Sequence, residues 1–148
     1  MCLTTKSISP SIAEEDIVVY KVLFHEYYRS KKFYAPDVTS YGDSYIYKKG
    51  LNKARGKETI CKSISRSDHY DIDKGFLHAF TNYDIAHKKA KYLNFVGGYD
   101  YKIGKATFPD FFVTKMIIPK GTEYYVGNND DICAKILKWN NIEDRTYV

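Results

Sequence analysis

The sequence predicts a β-dominated α+β domain of about six or seven strands with one main helix, 82–92, packed on the sheet. Three observations carry that prediction. Aromatic and β-branched side chains are abundant, with 15 tyrosines and 8 phenylalanines, and these fit a pleated, half-buried surface. Helical periodicity is convincing in one stretch only, just after residue 80. The 148 residues carry no internal repeat or low-complexity segment, and a chain of this length buries roughly two-thirds of its unfolded surface around one core.

Residues 1–16 read as a polar lead-in to a single domain spanning 1–148, closing on Glu14-Glu15-Asp16. The apolar, β-branched run Ile17-Val18-Val19-Tyr20-Lys21-Val22-Leu23-Phe24 predicts a central strand over 17–24. Residues 25–43 are aromatic but broken by Pro36 and Gly42, an irregular excursion. Tyr45 and Tyr47 alternate with Ile46, as in a half-buried strand over 44–48. After Gly50 and Gly56 a short strand is expected over 59–64, around Ile60 and Ile64. Residues 75–80 form the next strand. Thr81 or Asn82 then offers an N-cap, Asp84 lies in the first turn, and Lys88, Lys89 and Lys91 lie toward the end. Tyr83, Ala86, Ala90 and Leu93 fall on one face, a narrow apolar stripe suited to close packing on a sheet. Gly97-Gly98 breaks the chain, and 99–110 reads as a loop ending at Pro109-Asp110. Strands are expected over 111–118, 122–126 and 132–139. A Pro119-Lys120-Gly121 corner and the run Gly127-Asn128-Asn129-Asp130-Asp131 supply the turns.

The net charge is +5, but it is unevenly spread. Between residues 48 and 66 lie seven basic residues, Lys48, Lys49, Lys53, Arg55, Lys57, Lys62 and Arg66, against one acid, Glu58. Such a segment either attracts an anionic partner (a nucleotide, nucleic acid or acidic protein surface) or is a solvated loop. No apolar run spans a membrane, so no membrane partner is expected. The N-terminus lacks the apolar stretch of a secretory signal. Cys2, Cys61 and Cys133 are odd in number and share no CxxC spacing. Reduced thiols in the cytoplasm are the expectation, with neither a disulfide framework nor a zinc site.

Familiar catalytic signatures are missing. The four histidines, His25, His69, His78 and His87, form neither HxH nor HExxH, and no G-x-S-x-G, Walker or GxGxxG loop follows a strand. His69 lies beside Asp68 and Asp71, a combination able to bind a metal only weakly. Cys133, inside a strand, reads as a small core residue. No catalytic residue, metal or cofactor is assigned on these grounds.

The segment Lys74-Gly75-Phe76-Leu77-His78-Ala79-Phe80-Thr81, with Ile118-Pro119-Lys120-Gly121-Thr122 further on, resembles ADP-ribosyltransferase-type domains. In that family a G-F-x-S-T-S strand lines the nicotinamide pocket and leads into a helix. The resemblance implies NAD as cofactor, and it puts Tyr20-Lys21 where a dinucleotide-gripping arginine or histidine stands. Here the S-T-S triplet is His78-Ala79-Phe80, leaving Thr81 as the nearby hydroxyl. The catalytic glutamate has no counterpart in 131–137, which leaves Asp130 and Asp131 as candidate carboxylates. Losing such charge stabilisation costs several kcal/mol of barrier. The same pattern is also similar to uncharacterised small proteins of bacteria and their phages.

Two functional readings follow, beside a purely structural or interaction protein. One is a non-catalytic binding module. Its cleft would be lined by Tyr20, Lys21, His78, Thr81 and Lys120, or its basic segment would hold an anionic partner. The other is an ADP-ribosyltransferase-like enzyme. His78 is either a core histidine or a pocket wall, Lys120 a turn lysine or a phosphate contact. Tyr20, Tyr45, Tyr47, Tyr124 and Tyr125 are either base-stacking or half-wet strand residues. The arrangement of Tyr20, Lys21, His78 and Thr81 around one pocket, or not, separates these readings.

Overall fold

Residues 17–25 and 112–118 make the longest ladder in the molecule, pairing antiparallel from Phe112–Leu23 to Ile118–Ile17. The computed structural model describes residues 3–6, 9–25, 31–35, 45–64, 68–72, 75–96, 98–100, 105–107 and 111–148. In chain order the strands are β1 (Leu3–Thr5), β2 (Ser11–Ile12), β3 (Ile17–His25), β4 (Phe33–Tyr34), β5 (Ile46–Tyr47), β6 (Gly50–Lys53), β7 (Ile60–Lys62), β8 (Tyr70–Ile72) and β9 (Leu77–Phe80). After the helix α1 (Tyr83–Val96) come β10 (Gly98–Asp100), β11 (Lys105–Thr107), β12 (Phe112–Ile118), β13 (Glu123–Val126), β14 (Asp131–Ala134), β15 (Ile136–Trp139) and β16 (Arg145–Tyr147). Cys2, Pro36, Gly42, Arg66, Lys74, Gly97 and Pro109-Asp110 lie outside the described residues.

The expected six or seven strands are therefore corrected to sixteen among the described residues. Eleven share one sheet, running β2-β13-β14-β9-β3-β12-β15-β6 with β4, β5 and β16 attached at its flanks. The surplus strands are two to four residues long, too short to show a period-2 pattern. They include β1 and β2 in the polar lead-in, β4 in the aromatic excursion, β6, β8 and β16, and the hairpin of β10 and β11 around the expected loop over 99–110. The strand expected over 132–139 is two. It breaks at Lys135, because β14 pairs with β13 and β9 while β15 pairs with β12 and β6. At the break the Lys135 N–H donates to the Glu123 carbonyl and its own carbonyl accepts from the Ala54 N–H.

The sheet curls upon itself. Phe33 on β4 and Trp139 on β15 are three strands apart along the order β4-β3-β12-β15, about 14 Å on a flat sheet at the usual spacing. Their ring centroids are nevertheless 5.2 Å apart, and Phe112 completes the cluster at 5.6 Å from Phe33. Every step of the ring β3-β4-β5-β6-β15-β12 is a ladder except β5 to β6, which a tight turn spans. Asn52, fully buried, holds that turn. Its Oδ1 accepts from the Lys48 N–H at 2.9 Å, and its Nδ2 donates to the carbonyls of Lys48, Gly50 and Leu137. Inside lies the main core, with Val19, Leu23, Met116, Ile118, Leu137 and Trp139.

The outer face of the sheet is covered in two places. Helix α1 lies over Val22, Phe80, Phe111 and Val113 through Ala86 and Ala90, whose small side chains permit close approach. Asn82 is the N-cap, its Oδ1 accepting from the N–H groups of Asp84 at 2.7 Å and Ile85 at 3.4 Å. The helix runs to Val96 rather than ending at 92, since nothing between 92 and 96 breaks it. The small sheet β1-β8-β7 covers the second place, enclosing Leu3, Ile72, Phe76, Tyr125 and Cys133. Two close approaches there exclude side chains. A Cβ on Gly75, at φ +82°, would come within 2.8 Å of Glu58 Cα, and one on Gly127 within 2.0 Å of Asp131 Oδ1.

Candidate functional site

Successive residues of a strand point to opposite faces, so Tyr20 and Lys21 cannot share a cleft. Tyr20 faces outward under the helix, edge-on to Tyr83 with centroids 5.7 Å apart. Lys21 points inward and is 3% exposed, with Nζ 5.1 Å from the Tyr47 ring centroid. That ammonium also donates to the backbone carbonyl of His78. The strand arrangement explains this bond. Between β3 and β9 only Tyr20 and Phe80 pair, while β9 pairs with β14 along its whole length. The sheet opens beside residues 77–79, and the Lys21 side chain reaches across the opening. His78 is buried, cross-strand from Cys133 and on the face that Phe80 shares. Thr81 is exposed, its N–H and Oγ1 both donating to the Asp130 carbonyl at 2.8 and 3.1 Å. Lys120 is exposed at its corner, where its N–H donates to Asp16 Oδ1 at 2.9 Å. These five side chains do not converge on one cavity.

The remaining reactive groups are largely occupied as well, His69 Nε2 excepted, which is buried without a hydrogen-bond partner among the described residues. Burial pushes the Cys133 thiol up to about 12, so it stays protonated at neutral pH. Asp131 is buried against Gly127 and accepts from the Asn129 N–H at 3.3 Å, and desolvation raises its carboxyl above the usual range. Asp130 sits in the turn at φ 55° and presents its carbonyl, not its carboxylate, to Thr81. His25 Nε2 lies 2.7 Å from the Tyr147 hydroxyl, and the two rings stack. His69, buried, bonds Asp68 through Nδ1 at 2.7 Å, which holds the Asp68 carboxyl below its ordinary value. Among the described residues no group of three or more histidine, cysteine or carboxylate side chains could hold a metal ion. No described helix is long and apolar enough to cross a membrane.

The basic segment is different. Lys48, Lys49, Lys53, Arg55, Lys57 and Lys62 are all exposed, while Arg66 lies outside the described residues. Glu58, the one acid among them, is bound by Lys135. Arg55 lies over the Tyr45 ring at 5.1 Å, which positions its guanidinium beside the exposed strand edge. β6 is an end strand of the sheet path and carries exposed Lys53. The ladder then adds lysines that sequence reading missed. Leu51 pairs with Lys138, and Lys138 pairs with Ile117, two positions along β12 from exposed Lys115. Only strand register brings residues 51, 115 and 138 to one face. Alternation in Ile136-Leu137-Lys138-Trp139 was the available signal for Lys138, and it does not say which strand lies alongside.

A groove of about 890 Å³ runs along residues 11–18 beside Tyr124. Glu14, Glu15 and Asp16 border it. No protein-family model matches this chain, and no curated protein or solved structure matches it either.

Proposed function

We propose that the chain is a non-catalytic binding module whose basic face holds a phosphate-bearing polymer, nucleic acid being the best-fitting class. One observation carries the reading: six exposed cations stand between residues 48 and 62, and the one acid within that stretch, Glu58, is engaged by Lys135. Lys138 and Lys115 extend the field across β15 and β12. A positive surface spread over several strands suits an extended polyanion more than a single nucleotide, which a compact pocket would enclose. Lys21, by contrast, is enclosed among core residues, which makes the cleft the weaker reading. The unpaired thiols of Cys61 and Cys133 suit a reducing, cytoplasmic setting.

Fluorescence anisotropy with labelled duplex and single-stranded oligonucleotides, mononucleotides and an acidic peptide tests the proposal. Polynucleotides are expected to bind at low salt with an affinity that falls steeply as salt rises, because each neutralised phosphate releases condensed counterions. Mononucleotide binding with shallow salt dependence, or no polyanion binding at low salt, would contradict it.

A further inference from the structure

A column of rings runs from the core out to the basic segment and ends on a cation. Tyr47 packs on Tyr45 with centroids 4.8 Å apart, and the Arg55 guanidinium lies over the Tyr45 ring at 5.1 Å. The inner members are fixed in place. Tyr47 is buried and pairs with Phe33, and the Tyr45 hydroxyl is hydrogen-bonded to the Lys53 backbone. The backbone leading to Arg55 is fixed as well, because Ala54 packs on the main core and donates its N–H to the Lys135 carbonyl at 2.8 Å. The outer end of the column is open. Arg55 is exposed, and among the described residues no carboxylate forms an ion pair with it. A Cβ on the next residue, Gly56, would meet nothing within 4 Å.

We propose that Arg55 is a stacking platform for an unpaired base, so that the polymer held by the basic segment is single-stranded nucleic acid. This rests on the reading of that segment given above and narrows it. A guanidinium is planar and weakly hydrated, so with one side on Tyr45 it offers the other as a flat cationic surface. The part of a polyanion that matches such a surface is a nucleobase, whose π-face stacks on aromatic rings and on arginine planes alike. Within a duplex those faces are covered by the neighbouring pairs, whereas an unpaired strand presents them. Exposed Lys53 and Lys57 stand two residues to either side of Arg55 for the adjoining phosphates. Backbone cations combined with a stacking side chain are what binding of single strands requires. Tyr45 and Tyr47 act through Arg55 as positioning residues. An ammonium in the same place would supply the charge without the plane, which makes the assignment particular to arginine.

Three labelled probes test this by anisotropy on the full chain: a single strand, an abasic strand with the same number of phosphates, and the duplex of the first sequence. The parent is expected to hold the base-bearing strand about ten-fold tighter than the abasic one, the scale of one stacked base. Both strands are expected to show the same salt slope, because they carry the same phosphates. Arg55→Lys keeps the charge and removes the plane, and it is expected to cut the preference for bases to about two-fold or less. It is also expected to weaken single-strand binding by a larger factor than duplex binding. Tyr45→Ala, with thermal melts to verify that it is folded, is expected to act in the same direction, and Tyr45→Phe to recover the preference by restoring the ring. A parent that binds base-bearing and abasic strands equally overturns the inference and leaves the reading of the basic segment standing. So does an Arg55→Lys protein whose preference is undiminished, or one that loses single strand and duplex in equal proportion. Failure of every probe to bind at low salt overturns both.

Discussion

Lys21 sits at the middle of the longest strand with its charge turned into the core, its ammonium on the His78 carbonyl and close to the Tyr47 ring. Truncation to alanine removes a packed aliphatic stem and leaves that carbonyl without this donor. A loss of about 2–4 kcal/mol is expected in urea denaturation, with polyanion binding by the folded variant unchanged. A Lys21→Ala protein of full stability but weakened binding would show that the lysine reaches a ligand instead. Asp131 makes a pH-dependent prediction. Burial raises its carboxyl above the unfolded value of 3.8, so folding favours the protonated form. Its contribution to stability is full below 3.8 and is lost as pH rises through the folded value. Asp131→Asn is therefore expected to be more stable than the parent at pH 7, with the difference shrinking as the pH is lowered toward 3.8. A difference that grows on acidification would mean that the carboxylate is stabilised in the fold. Thiol chemistry gives a third test. Cys61 is exposed and should react promptly with a disulfide reagent, whereas Cys133 should react only on unfolding.

The elements explain what could and could not be read from the sequence. The run 17–24 is long, apolar and β-branched, and it is the core of the nine-residue strand β3. The segments 75–80 and 111–118 likewise contain β9 and β12. The small-residue stripe at Ala86 and Ala90 meets the sheet because only close packing makes use of it. Two-residue strands such as β4 and β5 carry no periodicity. Their pairing comes from Phe33 and Tyr47 joining the inner core, a long-range fact without a local signal. The break at Lys135 was equally hidden, since Ile132 to Trp139 reads as one apolar run. The candidate site divides along the same line. Exposure of the cations from 48 to 62 follows from the charge cluster itself, whereas their neighbours Lys138 and Lys115 follow from register. Asn52 shows how far a short element depends on one side chain. Asn52→Ala removes the bonds that join β5 to β6 and leaves the carbonyls of Lys48, Gly50 and Leu137 short of a donor. A cost of about 2–4 kcal/mol is expected by chemical denaturation. A cost under about 0.5 kcal/mol, the range of ordinary surface changes, would contradict this account of ring closure.

The whole molecule is a curled sheet filled with aromatic side chains on its inner face, with a helix and a small sheet covering part of the outer one. Its buried thiol and lysine are taken up by the fold, and a run of exposed cations stands between residues 48 and 62. The function proposed above rests on surface charge rather than on a pocket. The measurement that bears most directly on this is the salt dependence of duplex binding, compared between the parent and a variant with Lys53, Arg55 and Lys57 all replaced by Ala. The parent is expected to show a steep linear fall of log affinity with log salt. Removing three phosphate contacts should flatten that slope by up to about three units. The melting temperature should stay nearly unchanged, because exposed charges contribute little to folding. An identical slope in both proteins, or a parent that binds no polyanion even at low salt, would contradict the proposal and leave the basic segment a solvated loop.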